Sequence, residues 1–150
     1  MRVALDTNVL AYAEGVGDRA RKRMALELLE RLPLSSVVIP VQVLGELFRV
    51  LVRKRGMKPA EARNAILYWR NAFSNLSDTS AEVLLAAVDL AQQQVSIWDA
   101  VIICAAAEAR CQLLLSEDLQ DGFIYKGVKV VNPFREPRHA LLEAILEPVK

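Results

Sequence analysis

Cysteine is scarce in this chain: Cys104 and Cys111 are the only two among 150 residues. Their spacing matches neither a zinc nor a redox motif, so both read as buried thiols of a reducing compartment. Histidine is scarcer, with His139 alone near the C-terminus. With no Gly-x-Ser-x-Gly turn either, serine-type hydrolysis has no support. Six glycines and six prolines leave no room for low-complexity linkers. Aromatics reach only 6% while hydrophobic residues reach 53%, a balance that suits a helix-rich α/β core better than a sandwich and excludes intrinsic disorder. The longest apolar run, Ala100 to Ala107, is far short of the ~20 residues of a membrane span. The polar Asp6 comes too early for a signal-peptide core. Neither charge dominates, since 19 Lys+Arg face 18 Asp+Glu for a net +1; any basic surface for nucleic acid must be local. One soluble, cytoplasmic domain without a membrane segment is expected.

The patterning alternates strands with helices. Arg2-Val-Ala-Leu5 is a short apolar strand ending abruptly at Asp6-Thr7-Asn8. A helix is predicted over 18–30, with Ala20, Met24, Leu28 and Leu29 near one face. Val37-Val-Ile39 is a β-branched strand, and Pro40 closes it. Helices follow over 41–55, stopped by Gly56, and from Pro59 to Ala72. A loop over 71–78 has room for one strand near Leu76. Thr79 with Glu82 suggests a capping box opening a helix over 80–94. Ser96 with Asp99 opens another, to about Arg110. Leu113-Leu-Leu115 and Val128–Val131 are strands, and Pro137–Leu146 closes the chain as a helix. Strand–helix alternation of this kind gives a parallel sheet covered on both faces, with ligands at the carboxyl ends of the strands.

Acids stand where such ligands collect. Asp6 and Asp118 each follow an apolar strand; singly, either reads as a turn or capping acid. Glu46 lies off the stripe Leu44, Leu47, Phe48, Leu51, Val52, with Arg49 and Arg53 on its own side, the pattern of a solvated, salt-bridged face. Asp99 opens a helix that is apolar all round, with Ile102, Ile103 and Ala106 on its face, where a carboxylate is costly without a partner. Its bland role is a cap shared with Ser96. Together the four acids point elsewhere. Converging carboxylates repel one another unless a cation sits among them, and hard divalent cations take oxygen ligands. Such a site commonly hydrolyses phosphodiesters through an activated water.

Leu5-Asp6-Thr7-Asn8, Val43-Leu-Gly-Glu46-Leu47, Ser96-Ile-Trp-Asp99-Ala100 and Leu115-Ser-Glu-Asp118-Leu119, in this order and spacing, resemble a PIN domain, specifically a VapC-type toxin ribonuclease. The resemblance covers nearly the whole chain. It implies a three-layer α/β/α fold with a central, mostly parallel sheet. It also implies a Mg²⁺- or Mn²⁺-dependent endoribonuclease whose metal site is Asp6, Glu46, Asp99 and Asp118. Thr7, Asn8 and Ser116 would be polar supports, Asp121 an extra acid, and Glu117 a weaker one. A homodimer neutralised by a small antitoxin is implied as well. Trp69, Tyr68 and Phe73 would then serve either as an apolar contact face or as core. Phosphates approaching acids need positive charge at the rim. Arg49, Arg53, Lys54 and Arg55 are the expected RNA contacts, with Arg19, Arg21, Lys22 and Arg23 as a second, more ordinary group.

Other readings fit less well. A haloacid-dehalogenase-type phosphatase needs a second Asp two residues after the first, where this chain has Asn8. A phosphoacceptor receiver domain fits neither the helix count nor the place of Glu46. The alternative of a different class is a catalytically silent PIN-like binding module whose acidic groove holds a basic partner segment.

Overall fold

The computed structural model describes residues 1–148. The chain starts with β1 (Val3–Leu5), α1 (Thr7–Ala13), α2 (Arg19–Arg31), β2 (Val37–Pro40), α3 (Val41–Arg53) and α4 (Pro59–Ala72). It continues with β3 (Asn75–Ser77), α5 (Ala81–Ala91), α6 (Ile97–Glu108), β4 (Leu113–Leu115), β5 (Ile124–Tyr125), β6 (Val128–Val131) and α7 (Ala140–Leu146). The sheet runs β3-β2-β1-β4-β6-β5, parallel throughout except for β5 against β6. This is the expected mostly parallel α/β/α architecture.

The chain travels outward from β1 through β2 to β3, then returns to lay β4 against the other side of β1. That reversal opens a crevice beyond the carboxyl ends of β1 and β4, the usual ligand position of such sheets. The register pairs Leu5 with Leu115, so the next residues, Asp6 and Ser116, emerge side by side. Val3–Leu5, Val37–Ile39 and Leu113–Leu115 are buried, as strands covered on both faces must be. α6 is buried all round from Ala100 to Ala106, which explains its unbroken apolar run.

Several boundaries differ from the sequence reading. α1 was not foreseen, because seven residues buried on nearly every side show no amphipathic stripe. β5, two residues long, gives no periodic signal either. The cap of α5 is Ser80, whose hydroxyl accepts from Val83 N–H, and not Thr79. α3 ends two residues early, at Arg53, and α7 starts at Ala140, past Pro137. On α2 the buried line is Ala25 and Leu28, with Ala20 exposed. Phe48 leaves the core and lines a shallow apolar groove with Leu44, Pro59 and Ile66. Of the three aromatics expected to serve as contact face or core, Trp69 and Phe73 are buried and stacked, while Tyr68 is 62% exposed. Among the described residues no helix is long and apolar enough to cross a membrane.

The sheet centre carries the stability. Leu114 is fully buried in β4, between β1 and β6. Leu114→Ala is expected to cost about 2–5 kcal/mol through lost transfer energy and a residual cavity. Urea or thermal melts check this; a loss below 1 kcal/mol would mean the sheet can collapse around the gap.

Candidate active site

Asp6 leaves β1 in extended conformation and caps α1, its Oδ1 accepting from Thr7 N–H at 2.7 Å. Its other oxygen accepts from the Ser116 hydroxyl at 2.6 Å and from Asn8 Nδ2 at 3.2 Å. Asp6 is only 4% exposed. Burial is the main force raising its carboxyl, to a pKa of about 6. The Ser116 and Thr7 hydrogen bonds pull that value down, and the charges of Glu46 and Asp99 push it up.

The three polar residues next in chain or register tie Asp6 to its neighbours. The Thr7 hydroxyl donates to Glu46 Oε2 at 2.7 Å, fixing an acid brought by α3. Asn8 Nδ2 lies 3.2 Å from Asp118 Oδ2, and Asn8 Oδ1 accepts from Glu117 N–H. Ser116 accepts from the N–H groups of Asp118 and Leu119, so one hydroxyl shapes the turn that presents Asp118. Asp99 comes from the first turn of α6, where capping falls to Ser96: its hydroxyl accepts from Asp99 N–H at 3.3 Å.

The four acids therefore share one end of the sheet but occupy different depths. Asp6 lies beneath the surface. Above it, a cavity of about 520 Å³ is lined by Glu46 and Asp118 together with Arg49, Arg53 and Lys54. Asp99 lines a second cavity, which also reaches Asp118. The remaining expected residues lie apart from this set. Arg55 donates through Nε to the carbonyl of Glu14. Asp121 is engaged by Asn132 N–H and by Arg135 at 2.8 Å. Glu117 accepts from Tyr12 and pairs with Arg21 Nε at 2.8 Å. In the second basic group, Arg19, Lys22 and Arg23 flank Glu27 and Glu30 on the outer face of α2.

Tyr12 is a site residue that the sequence reading missed. It lines the first cavity, and burial and the Glu117 carboxylate push its pKa up to about 12, so it stays a donor. One helical turn after Asn8, it is recognisable only once α1 is known.

The donor set suits a hard divalent cation. Every acid offers carboxylate oxygens, and Asp6, raised chiefly by burial, also feels the charges of Glu46 and Asp99. Among the described residues no three His, Cys, Asp or Glu side chains close on a common point as a ready cage would. Mg²⁺ needs no such cage, because it keeps several waters and is commonly held through one or two carboxylates.

The PIN domain family model matches residues 3–124. No curated protein matches the chain. Solved structures share its fold. VapC20 of Mycobacterium tuberculosis, described as a toxin that cleaves the sarcin–ricin loop, superposes with a TM-score of 0.64 at 22% identity, over 75% of this chain and 86% of its own. A toxin–antitoxin complex from Klebsiella pneumoniae gives 0.63 at 24%, over 88% and 98%. FitAcB of Neisseria gonorrhoeae gives 0.63 at 16%, again over 88% and 98%. With the sheet order, the acids at its switch point and a family match over most of its length, this chain belongs to the PIN domain family.

Proposed function

We propose that the protein is a divalent-metal-dependent endoribonuclease, the toxin of a type II toxin–antitoxin pair. One observation carries the reading: a buried Asp6, held by Thr7, Asn8 and Ser116, gathers Glu46 and Asp118 around one crevice and feels the charge of Asp99. Such an arrangement is costly without a cation and useful with one. Asp6, Asp99 and Asp118 with Glu46 would hold Mg²⁺ or Mn²⁺, which when bound supplies a Lewis acid and an activated water for phosphodiester hydrolysis.

The chain's own residues do the rest. Thr7 and Ser116 lock the carboxylates in position before substrate arrives, which removes reorganisation from the reaction. Thr7 donates to Glu46 Oε2, while Oε1 has a 3.5 Å contact from Gln42 Nε2, and Glu46 lines the cavity. Oε1 is then the Glu46 oxygen that would hold the cation. Arg49, Arg53 and Lys54 line the same cavity and would receive the backbone phosphates, offsetting the repulsion between RNA and the acids. The toxin role draws support from the fold shared with a toxin and with a toxin–antitoxin complex. It implies a small antitoxin that brings a basic side chain to the crevice, and a homodimeric toxin.

The purified chain is expected to cut single-stranded RNA with Mg²⁺ or Mn²⁺ and to stop on addition of EDTA. Gel analysis of a labelled RNA checks this. Cleavage that continues in EDTA and survives Asp6→Asn would overturn the reading. Calorimetric titration separates it from the silent binding module: saturable Mn²⁺ binding lost in Asp6→Asn belongs to the enzyme.

A further inference from the structure

The acid cluster opens on two cavities of opposite character, and Asp118 belongs to both. The first carries Arg49, Arg53 and Lys54. The second, about 300 Å³, lies between the turn after α5, the start of α6 and the segment after β4. Its lining includes Gln93, Gln94 and Gln120, with Phe123 and Ile103 as apolar residues. Asp99 and Asp118 border it, and none of its lining residues is Lys or Arg.

That chemistry selects the occupant. Away from the metal-binding acids its lining has no Lys or Arg to receive a phosphate, so the flanking phosphates of the strand belong in the other cavity. A flat, neutral group with donors and acceptors on its edge suits three amides, which offer both. Phe123 adds a surface for an aromatic ring. Gln94 has a further peculiarity, a backbone φ of +66°. Glycine adopts that conformation freely, and residues just past a helix end often share it.

We infer that the second cavity receives the unpaired base of the nucleotide next to the cut, read by the amides of Gln94 and Gln120. This rests on the ribonuclease reading of the acids and extends it to substrate choice. The strand would lay its phosphates toward Arg49, Arg53 and Lys54 and turn one base toward the glutamines. A paired base cannot enter, so the substrate is single-stranded at that position.

The test is cleavage of a randomised single-stranded RNA pool in Mn²⁺, with sequencing of the new ends. Wild type is expected to prefer one or two bases at a single nucleotide beside the cut. In Gln94→Gly/Gln120→Ala that preference should fall roughly tenfold, and glycine at position 94 suits the local backbone. A preference retained in the variant overturns the inference, as does a wild type with no preference. If the chain cuts no RNA, the ribonuclease reading fails by itself. Photocrosslinking of a single-stranded RNA containing 4-thiouridine then decides the cavity. Crosslinks within residues 93–96 or 119–123 uphold it, and crosslinks elsewhere, or none, overturn it.

Discussion

Asp6→Asn is expected to lower RNA cleavage by about 10³-fold, equivalent to roughly 4 kcal/mol of transition-state stabilisation. A neutral amide is a poor ligand for a hard cation, and position 6 holds the hub of the hydrogen-bond network. The same substitution should change how stability depends on pH. In the folded protein the Asp6 carboxyl titrates at about 6, against 3.8 for an ordinary Asp. A pKa raised by folding contributes stability that is fully present below about pH 3.8 and is lost as pH rises through 6. The span corresponds to about 3 kcal/mol. Metal-free wild type should therefore lose that much, relative to Asp6→Asn, between pH 4 and pH 7. Urea melts of both proteins across this range check it. A difference that stays flat with pH would show that Asp6 is charged without penalty and that no cation is called for.

Asp99→Asn is expected to separate function from stability. The cap of α6 comes from Ser96, not from the Asp99 side chain, so the helix keeps its start. Losing a first-turn acid costs about 0.3–1 kcal/mol of helix-dipole interaction. Relief of the repulsion felt by Asp6 works the other way. Metal-free stability should accordingly stay within about 1 kcal/mol of the parent, with the Asp6 carboxyl titrating at lower pH. Cleavage and Mn²⁺ affinity should fall by about 10²-fold or more, of the order of 3 kcal/mol. Thermal melts with and without Mn²⁺, beside an RNA cleavage assay, measure both sides. Normal cleavage by Asp99→Asn would remove it from the site. A clear loss of stability with activity kept would make it a structural acid.

The elements that sequence reading located well are those whose burial pattern is uniform or strictly periodic. β1, β2 and β4 are short apolar runs ended by Asp6, Pro40 and Ser116, and a covered parallel strand needs nothing else. α4 was bounded by its own chemistry, proline at the first turn. α1 was not legible, since seven residues buried nearly all round resemble the tail of a strand. That omission hid Tyr12 and made Thr7 and Asn8 look like loop residues, when they are the first turn of the helix that Asp6 caps. The acids themselves stood out by position after strands and by their order along the chain. Their depth did not: both follow an apolar strand, yet Asp6, beside Ser116 in register, is buried, while Asp118, two residues further on, is exposed. Register decides that difference. Arg55 does not line the cavity with Arg49, Arg53 and Lys54, because α3 stops at Arg53, and beyond the last turn a helical wheel no longer says where a side chain goes.

The place of β1 between β2 and β4 also governs when the crevice can come into being. Asp6 and the Ser116 hydroxyl that anchors it lie 110 positions apart in the chain. Contacts separated that widely carry a large loop-closure cost and form late in folding. On a growing chain, β1 and β2 can pair long before β4 exists, leaving one side of β1 open and Asp6 without its hydroxyl donor. The acid cluster thus forms only once β4 has paired with β1, and a partly synthesised chain carries its carboxylates scattered.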